Sequence, residues 1–290
     1  MKKYFDLIRI KHWLKNILLF LPLFFSGNFL NKNKLFLSII SFFIFSILSS
    51  IIYVINDIAD LENDKKHPIK KNRPLANNSI SIRNAFITIS IMSIFLIMLI
   101  IYLFNKNNNI LIILIPILYL IINILYSYKL KKIPILDIVI IVLGFILRVT
   151  YGGISTNILV SKYLYLLIIF GSFYLAFGKR RGEINNNTYD SREVLSKYNK
   201  DFLNHNMYVS YTIALVSYIF WCVDDSVILK NGHDYIFWTI PLLMIIFQIY
   251  CLDTENNSYA DPVEVILNNK VLLSVIMLYI VIMTTLLYIV

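Results

Sequence analysis

Four side chains able to bind a metal ion follow one apolar stretch, at Asn56, Asp57, Asp60 and Asp64. If a helix continues through them at ~100° per residue, the three aspartates lie within an arc of about 60°. Carboxylates this close repel one another at the edge of a low-dielectric bundle unless a cation neutralises them. Oxygen ligands of this kind suit Mg²⁺, which completes its coordination with water and substrate phosphates. The spacing therefore predicts a magnesium site formed by the three aspartates, and Asn56, directly before them, is a candidate fourth ligand.

Basic residues follow the acidic cluster at once, in the segment 67–74, which reads HPIKKNRP. One interpretation is a solvated helix end whose acids pair with the lysines. The other is a diphosphate site, because carboxylates that hold a metal beside Lys and Arg that hold oxyanions suit that group. Three acids on one helix face favour the second interpretation, so Lys71 and Arg73 are predicted to contact substrate phosphate.

A second polar cluster runs from Tyr126 and Lys129 into the next apolar stretch. There Asp137, Gly144 and Arg148 fall on one helix face, which must point into a helical bundle because an arginine facing lipid is costly. The alternative role for Arg148 is to brace a neighbouring helix.

A third cluster, Lys179 and Arg180 with their neighbours, ends a later apolar stretch. Cations at a helix C-terminus are also expected from the helix dipole and from membrane sorting of positive charge.

The elements that carry these clusters are apolar enough to cross a membrane. Hydrophobic residues make up 58% of the 290 residues, whereas soluble domains contain roughly 45–50%. Two cysteines, Cys222 and Cys251, lie far apart in apolar stretches and match neither a disulfide framework nor a clustered metal site. Composition excludes a secreted disulfide scaffold, a disordered chain and a basic soluble nucleic-acid binder, so no nucleic-acid partner is expected.

Crossing a bilayer core takes roughly 20 apolar residues per helix. The chain contains nine stretches of about this kind, at 16–30, 35–56, 84–104, 110–127, 135–154, 161–178, 207–223, 235–252 and 271–289. They are continuously apolar instead of alternating, which argues against strands. We predict an all-α polytopic bundle of nine transmembrane helices, with 1–290 as a single integral membrane domain surrounded by membrane lipids.

The basic residues predict the orientation of these helices. The N-terminus and the even-numbered loops hold 21 Lys and Arg residues, the opposite side holds 5, and Arg148 lies within a stretch. This asymmetry predicts a cytoplasmic N-terminus and an external C-terminus. No small-residue cleavage pattern follows Phe29, so the first helix is predicted to be retained. The long, charged loops 57–83 and 179–206 are both cytoplasmic and are predicted to cap an active site.

Taken together and in order, these motifs resemble the UbiA superfamily of intramembrane prenyltransferases. The pattern Asn56-Asp57-x-x-Asp60-x-x-x-Asp64 resembles its first aspartate motif. The longer pattern is similar to the decaprenyl-phosphate phosphoribosyltransferase branch. It comprises Lys11-His-Trp13-Leu-Lys15-Asn16, His67-Pro68-x-Lys70-x-x-Arg73-Pro74, Tyr126-Ser127 with Lys129, Pro134 and Asp137, Gly144-Phe-x-x-Arg148 with Gly152-Gly153, Gly178-Lys179-Arg180, and Asp261-Pro-x-Glu264-Val.

The resemblance implies a UbiA-like fold in the plasma membrane and an active site on its cytoplasmic side. It implies Mg²⁺-dependent transfer of 5-phosphoribose from phosphoribosyl diphosphate to a polyprenyl phosphate, for cell-envelope glycan synthesis. The implied catalytic residues are Asp57, Asp60, Lys129 and Asp137. The implied phosphate-binding residues are Lys15, Asn16, Lys71, Arg73, Tyr126, Arg148, Lys179 and Arg180.

Two other functions remain open. The first is an aromatic prenyltransferase of the same superfamily that uses a prenyl diphosphate. Those enzymes carry a second Asp-x-x-x-Asp pair after the fourth span, whereas here Asp137 is followed four residues later by Ile141. The second is an anion transporter, although transporter sites tend to lie near the bilayer midplane. The length of the polyprenyl chain and the formation of a homo-oligomer also stay open.

Overall fold

The computed structural model describes residues 2–66, 70–185, 193–256 and 261–289. His67 and Pro68 of the sequence motif, and 186–192 of the predicted cap, lie outside this part. Every regular element in the described part is a helix, which confirms the all-α prediction. The α-helices are α1 (Lys2–Leu7), α2 (Leu21–Phe25), α3 (Lys32–Ala59), α4 (Leu61–Lys66), α5 (Ile82–Asn107), α6 (Leu111–Tyr128), α7 (Leu136–Thr156), α8 (Lys162–Asn185), α9 (Lys200–Cys222), α10 (Asp225–Asn231), α11 (Ile240–Asn256), α12 (Pro262–Asn268) and α13 (Lys270–Tyr288). The 3-10 helices are Ile10–Phe20, Lys70–Asn72, Leu130–Lys132, Glu193–Lys197 and Tyr235–Thr239.

Six stretches of the described chain are long and apolar enough to cross a membrane. They are α3, α5, α6, α7, Tyr235–Glu255 and α13. Helices α9 and α10, bent by 52°, give a seventh if the pair is one span. Large apolar side chains such as Ile94 and Val281 are 62% and 57% exposed on these helices, a surface suited to lipid. The protein is therefore an integral membrane protein.

These seven stretches agree with seven of the predicted spans, and the other two differ. The predicted span 161–178 lies in α8, which carries Lys162 at its start and three consecutive basic residues near its end. The predicted span 16–30 is not one α-helix, because a 3-10 helix leads into α2, which ends at Phe25. The predicted first helix is therefore present as two helical segments that end at Phe25, and the total of nine spans stays a prediction.

Side-chain hydrogen bonds attach the 3-10 helix Ile10–Phe20, here called the entry segment, to α3. Eleven residues are long for a 3-10 helix, whose hydrogen bonds are poorer than those of an α-helix. Trp13 Nε1 donates to Ser50 Oγ of α3 at 3.0 Å. The buried Asn16 Nδ2 donates to Ser46 Oγ at 3.0 Å. Small hydroxyl residues on α3 thus let this segment pack closely and give its polar groups partners inside the protein.

Gly152 of α7 makes a close backbone contact with the same entry segment. A Cβ atom placed at Gly152 would lie 2.1 Å from the carbonyl oxygen of Leu19 and 2.9 Å from its carbonyl carbon. Both atoms belong to the backbone, so a side-chain rotation cannot relieve the collision. Gly171 of α8 differs, because no atom beyond the backbone of its own helical turns lies within 4 Å of its added Cβ.

The substitution Gly152→Ala is expected to destabilise the protein by about 3 kcal/mol, because α7 and the entry segment must separate. In detergent, the melting temperature should fall by roughly 5–10 °C. Gly171→Ala is the matched control and should melt no lower than wild type, because alanine favours a helix and meets open space. Equal melting of the two variants would contradict the close contact.

The chain divides into two compact units. The first contains Met1–Tyr128 and Leu147–Leu159, and the second contains Lys129–Ile146 and Val160–Val290, so α7 contributes to both. In the first unit, the ring of Phe45 lies 5.2 Å from that of Tyr119. In the second, the ring of Tyr174 lies 5.4 Å from that of Tyr250. Each unit has its own apolar core, and the single domain 1–290 stays a prediction.

Candidate active site

Arg73 joins two of the predicted metal ligands within the first unit. Its Nη1 donates to Asp57 Oδ1 at 3.0 Å and to Asp64 Oδ2 at 2.6 Å. Both aspartates are only 3% exposed. The predicted continuous helix is broken at Asp60, between α3 and α4. Backbone hydrogen bonds from Asp60 to Asn56 (2.9 Å) and from Asp64 to Asp60 (2.8 Å) preserve the helical spacing, so two carboxylates still converge.

A second arginine contacts the same carboxylate. Arg9 lies between α1 and the entry segment, and its Nη2 donates to Asp57 Oδ1. Its guanidinium carbon lies 4.7 Å from the ring centroid of Tyr53, one helical turn before Asp57. Two buried carboxylates are thus matched by two guanidinium groups, which offsets the cost of removing the carboxylates from water.

The two carboxylates have the donor chemistry that Mg²⁺ requires. Asp57 and Asp64 both direct an oxygen at one cationic nitrogen of Arg73, and oxygen donors are those that Mg²⁺ prefers. The two side chains therefore supply oxygen donors of the kind that Mg²⁺ binds. Within the part of the chain that the structure describes, no three His, Cys, Asp or Glu side chains are grouped to hold one ion. The four-residue magnesium site with Asn56 and Asp60 therefore stays a prediction.

Arg148 and Asn16 form a buried contact in the first unit. Arg148 Nε donates to Asn16 Oδ1 at 2.7 Å, and its Nη2 donates to Tyr119 Oη at 2.6 Å. The guanidinium carbon lies 5.0 Å from the Tyr119 ring centroid. Such partners are expected for an arginine inside a membrane segment. Arg148 thus braces the entry segment, and the phosphate-binding role of Arg148 and Asn16 stays a prediction.

Asp137, at the start of α7, is enclosed within the second unit. Its Oδ2 accepts a hydrogen bond from Arg180 Nε at 2.7 Å, and its Oδ1 accepts one from Tyr198 Oη at 2.7 Å. Asp137 and Arg180 are both 0% exposed. Arg180 Nη1 also donates to Glu183 at 2.7 Å. This network joins α7, α8 and the segment before α9, and the catalytic role of Asp137 and the phosphate-binding role of Arg180 stay predictions.

Tyr198 ties this ion pair to a strained turn. Ile135 has a φ of 68°, a left-handed conformation that is costly for a β-branched residue. Its backbone N–H donates to Tyr198 Oη at 2.5 Å, and the same hydroxyl donates to Asp137. Burial, and then the hydrogen bond to the Asp137 carboxylate, raise the pKa of Tyr198, so its phenol stays protonated and able to donate. The Tyr198 side chain therefore stabilises the turn at Ile135, between Lys129 and Asp137.

Lys179 and Arg181 connect α8 to three other helices. Lys179 Nζ lies 3.3 Å from an oxygen of Asp261, the residue that caps α12. Arg181 is 2% exposed and donates to Asn204 of α9 at 2.9 Å and to Thr254 of α11 at 2.6 Å. The basic run at the end of α8 therefore has structural partners, in addition to any role in membrane sorting.

The remaining predicted phosphate-binding and catalytic side chains lie nearer the surface. Lys71 and Lys129 are exposed, and Lys15 and Tyr126 are half-buried. Lys129 belongs to the second unit and the other three belong to the first. Their assignment to substrate phosphates stays a prediction.

Sequence reasoning missed Arg9 and Tyr198 as members of these clusters. It placed Glu183 in the third cluster but did not predict its ion pair with Arg180, although a separation of three residues is the spacing of a helical ion pair. Arg9 and Tyr198 lie 48 and 61 residues from their aspartate partners. No local pattern marks contacts over such separations.

Comparison with known proteins gives one consistent result. The UbiA prenyltransferase family matches residues 17–258. The chain is 29% identical over 272 residues to a decaprenyl-phosphate phosphoribosyltransferase of Corynebacterium glutamicum, covering 91% of this chain and 80% of that one. It is 26% identical over 274 residues to a Mycobacterium tuberculosis protein of the same name, covering 91% and 87%. A solved UbiA homolog from Archaeoglobus fulgidus, bound to GPP and Mg²⁺, shares the fold with a TM-score of 0.68 and 17% identity, covering 98% of this chain and 99% of that one. The chain belongs to the UbiA prenyltransferase family.

Proposed function

We propose that the protein transfers 5-phosphoribose from phosphoribosyl diphosphate to a polyprenyl phosphate of the decaprenyl or undecaprenyl type. The products are polyprenylphosphoryl-5-phosphoribose, for cell-envelope glycan synthesis, and diphosphate. The observation that carries this proposal is the convergence of the buried Asp57 and Asp64 carboxylates on one cationic nitrogen, directly after an apolar helix. The names of the relatives, which match 91% of the chain, support the choice of substrates.

The chain's own side chains supply the charges that this reaction needs. Asp57 and Asp64, with Asp60 beside them, would hold Mg²⁺, which when bound offsets the negative charge that develops on the departing diphosphate. Arg73 is suited to grip phosphate oxygens with two donors, and Lys71 to act as a point charge. We place this site at the cytoplasmic side of the plasma membrane, where the basic residues are concentrated.

No side chain has to act as a general base in this reaction. The acceptor phosphate is already an anion at neutral pH, so no proton must be removed before it attacks. The bond from its oxygen to the anomeric carbon forms as the bond from that carbon to the diphosphate breaks. Attack from the face opposite the leaving group inverts the anomeric configuration.

Purified protein given Mg²⁺, undecaprenyl phosphate and labelled phosphoribosyl diphosphate is expected to move the label into the lipid fraction. Transfer should stop when EDTA removes the metal, because the diphosphate charge is then no longer offset. The measurement is radioactivity in the organic phase, with a reaction lacking the lipid as the control. If label stays in the aqueous phase under all metal and lipid conditions, the proposed function is wrong.

An aromatic prenyltransferase is the second candidate, and it predicts a reaction between a prenyl diphosphate and 4-hydroxybenzoate. The sequence argues against it, because Asp137 is followed four residues later by Ile141 where aromatic prenyltransferases carry a second acidic residue. An anion transporter is the third candidate, and the same lipid assay separates it, since transport moves no label into lipid.

A further inference from the structure

Arg9 occupies an unusual place for a basic residue near the N-terminus. Its guanidinium group lies over the ring of Tyr53 and donates to Asp57, so it follows one face of α3. The arginine side chain is 20% exposed, whereas that of Asp57 is 3% exposed. A long, partly exposed cation therefore rests on a short, buried anion that is attached to a spanning helix. Of the two side chains, the more exposed Arg9 has the greater freedom to change its conformation.

Arg73 is placed in the same way. Its side chain is 29% exposed, and its Nη1 contacts both Asp57 and Asp64. The two carboxylates and the two guanidinium groups balance in charge. A divalent cation entering alone would meet two positive groups already in place, and its binding would be opposed. A diphosphate that enters with the cation would remove this opposition, because it gives the displaced arginines a new anionic partner.

We propose that Arg9, together with Arg73, is a resident counter-ion that releases the aspartates to the metal and then binds the diphosphate. The inference rests on the proposed use of Mg²⁺ and a diphosphate substrate, and it adds Arg9 to the phosphate-binding residues. Arg9 and Asp57 stay paired while the site is free of substrate. The exchange couples the two ligands: metal favours diphosphate, and diphosphate favours metal by the same factor.

The test measures this coupling in Arg9→Gln. Binding of Mn²⁺, a spectroscopic substitute for Mg²⁺, is followed by electron paramagnetic resonance of the free ion, with and without inorganic diphosphate. We expect Mn²⁺ alone to bind about tenfold more tightly to the variant, because a competing cation is gone. Diphosphate at saturating metal should bind about tenfold more weakly, because one donor is lost.

Two further variants complete the experiment. Arg9→Lys keeps the charge and should bind Mn²⁺ alone as wild type does. Arg83→Gln removes the same charge from an exposed position in the first turn of α5 and should leave both affinities unchanged. Weaker binding of both ligands in Arg9→Gln would mean a merely structural role and would overturn the inference, as would affinities equal to those of wild type.

Inorganic diphosphate contains neither ribose nor lipid, so the outcome does not depend on the transfer assay. Suppose that Arg9→Gln binds Mn²⁺ more tightly and diphosphate more weakly, but the wild-type protein transfers no phosphoribose. The counter-ion role would then stand and the proposed substrates would be rejected. Transfer of phosphoribose together with unchanged affinities in Arg9→Gln would support the proposed substrates and reject the counter-ion role.

Discussion

Asp57→Asn is expected to lower phosphoribosyl transfer roughly a thousandfold while the protein stays folded. The loss follows because a metal ion and its ligands contribute several kcal/mol to stabilising the leaving group, and each 1.4 kcal/mol is a factor of about ten in rate. The fold should survive because Arg73 still donates to Asp64, and Arg9 and Arg73 both reach solvent. Initial rates and melting temperature, measured on the same preparation, check both parts.

Glu62→Gln is the matched control for this loss of one negative charge. Glu62 lies on α4, close in sequence to Asp64, but it pairs with Lys65 at 2.7 Å and is exposed. The Lys65 hydrogen bond and charge hold the pKa of Glu62 below its usual range. A surface ion pair of this kind contributes little, so Glu62→Gln should transfer phosphoribose at close to the wild-type rate. Equal loss in both variants would mean that general charge near the membrane, and not the Asp57 site, controls activity.

Much of the fold follows from the sequence because a membrane imposes strong local rules. Apolar length predicted the stretches that the structure shows as α3, α5, α6, α7, α11 and α13. The entry segment was not predictable in this way, since its 3-10 geometry depends on hydrogen bonds from Trp13 and Asn16 to serines of α3. Those partners lie 37 and 30 residues away, so a local apolar count cannot detect them.

In the candidate site, too, local contacts could be predicted from the sequence and long-range contacts could not. Local spacing led to Asp57, Asp64 and Arg73, because helical periodicity and a short loop bring them together. It did not indicate that Arg73 would join the two carboxylates directly, or that Arg9 from a separate segment would also contact Asp57. For Asp137, the sequence predicted the inward direction but not the complete enclosure by Arg180 and Tyr198.

The enclosure of Asp137 has a direct energetic consequence. Asp137 and Arg180 are both fully buried, and each offsets the cost of holding the other away from water. Breaking such a pair on one side leaves an uncompensated charge, which typically costs about 3–5 kcal/mol. Replacing both partners by neutral groups costs less, because the two fully buried charges are removed together and Glu183, the other carboxylate that Arg180 contacts, is 13% exposed.

Arg180→Met is therefore expected to destabilise the protein by about 3–5 kcal/mol, and Asp137→Asn combined with Arg180→Met should recover much of that loss. Melting temperature and the monodisperse fraction on size exclusion measure both. Lys179→Met is the control for stability, because the ion pair of Lys179 with Asp261 is longer, at 3.3 Å, and partly exposed. This substitution should cost less than about 1 kcal/mol.

The activity of the double variant then separates two roles of Asp137 and Arg180. If stability returns with transfer, Asp137 and Arg180 position the helices; if stability returns without transfer, at least one of them contacts the substrate. Arg180→Met melting as high as Lys179→Met would show that the buried pair does not hold α7 to α8.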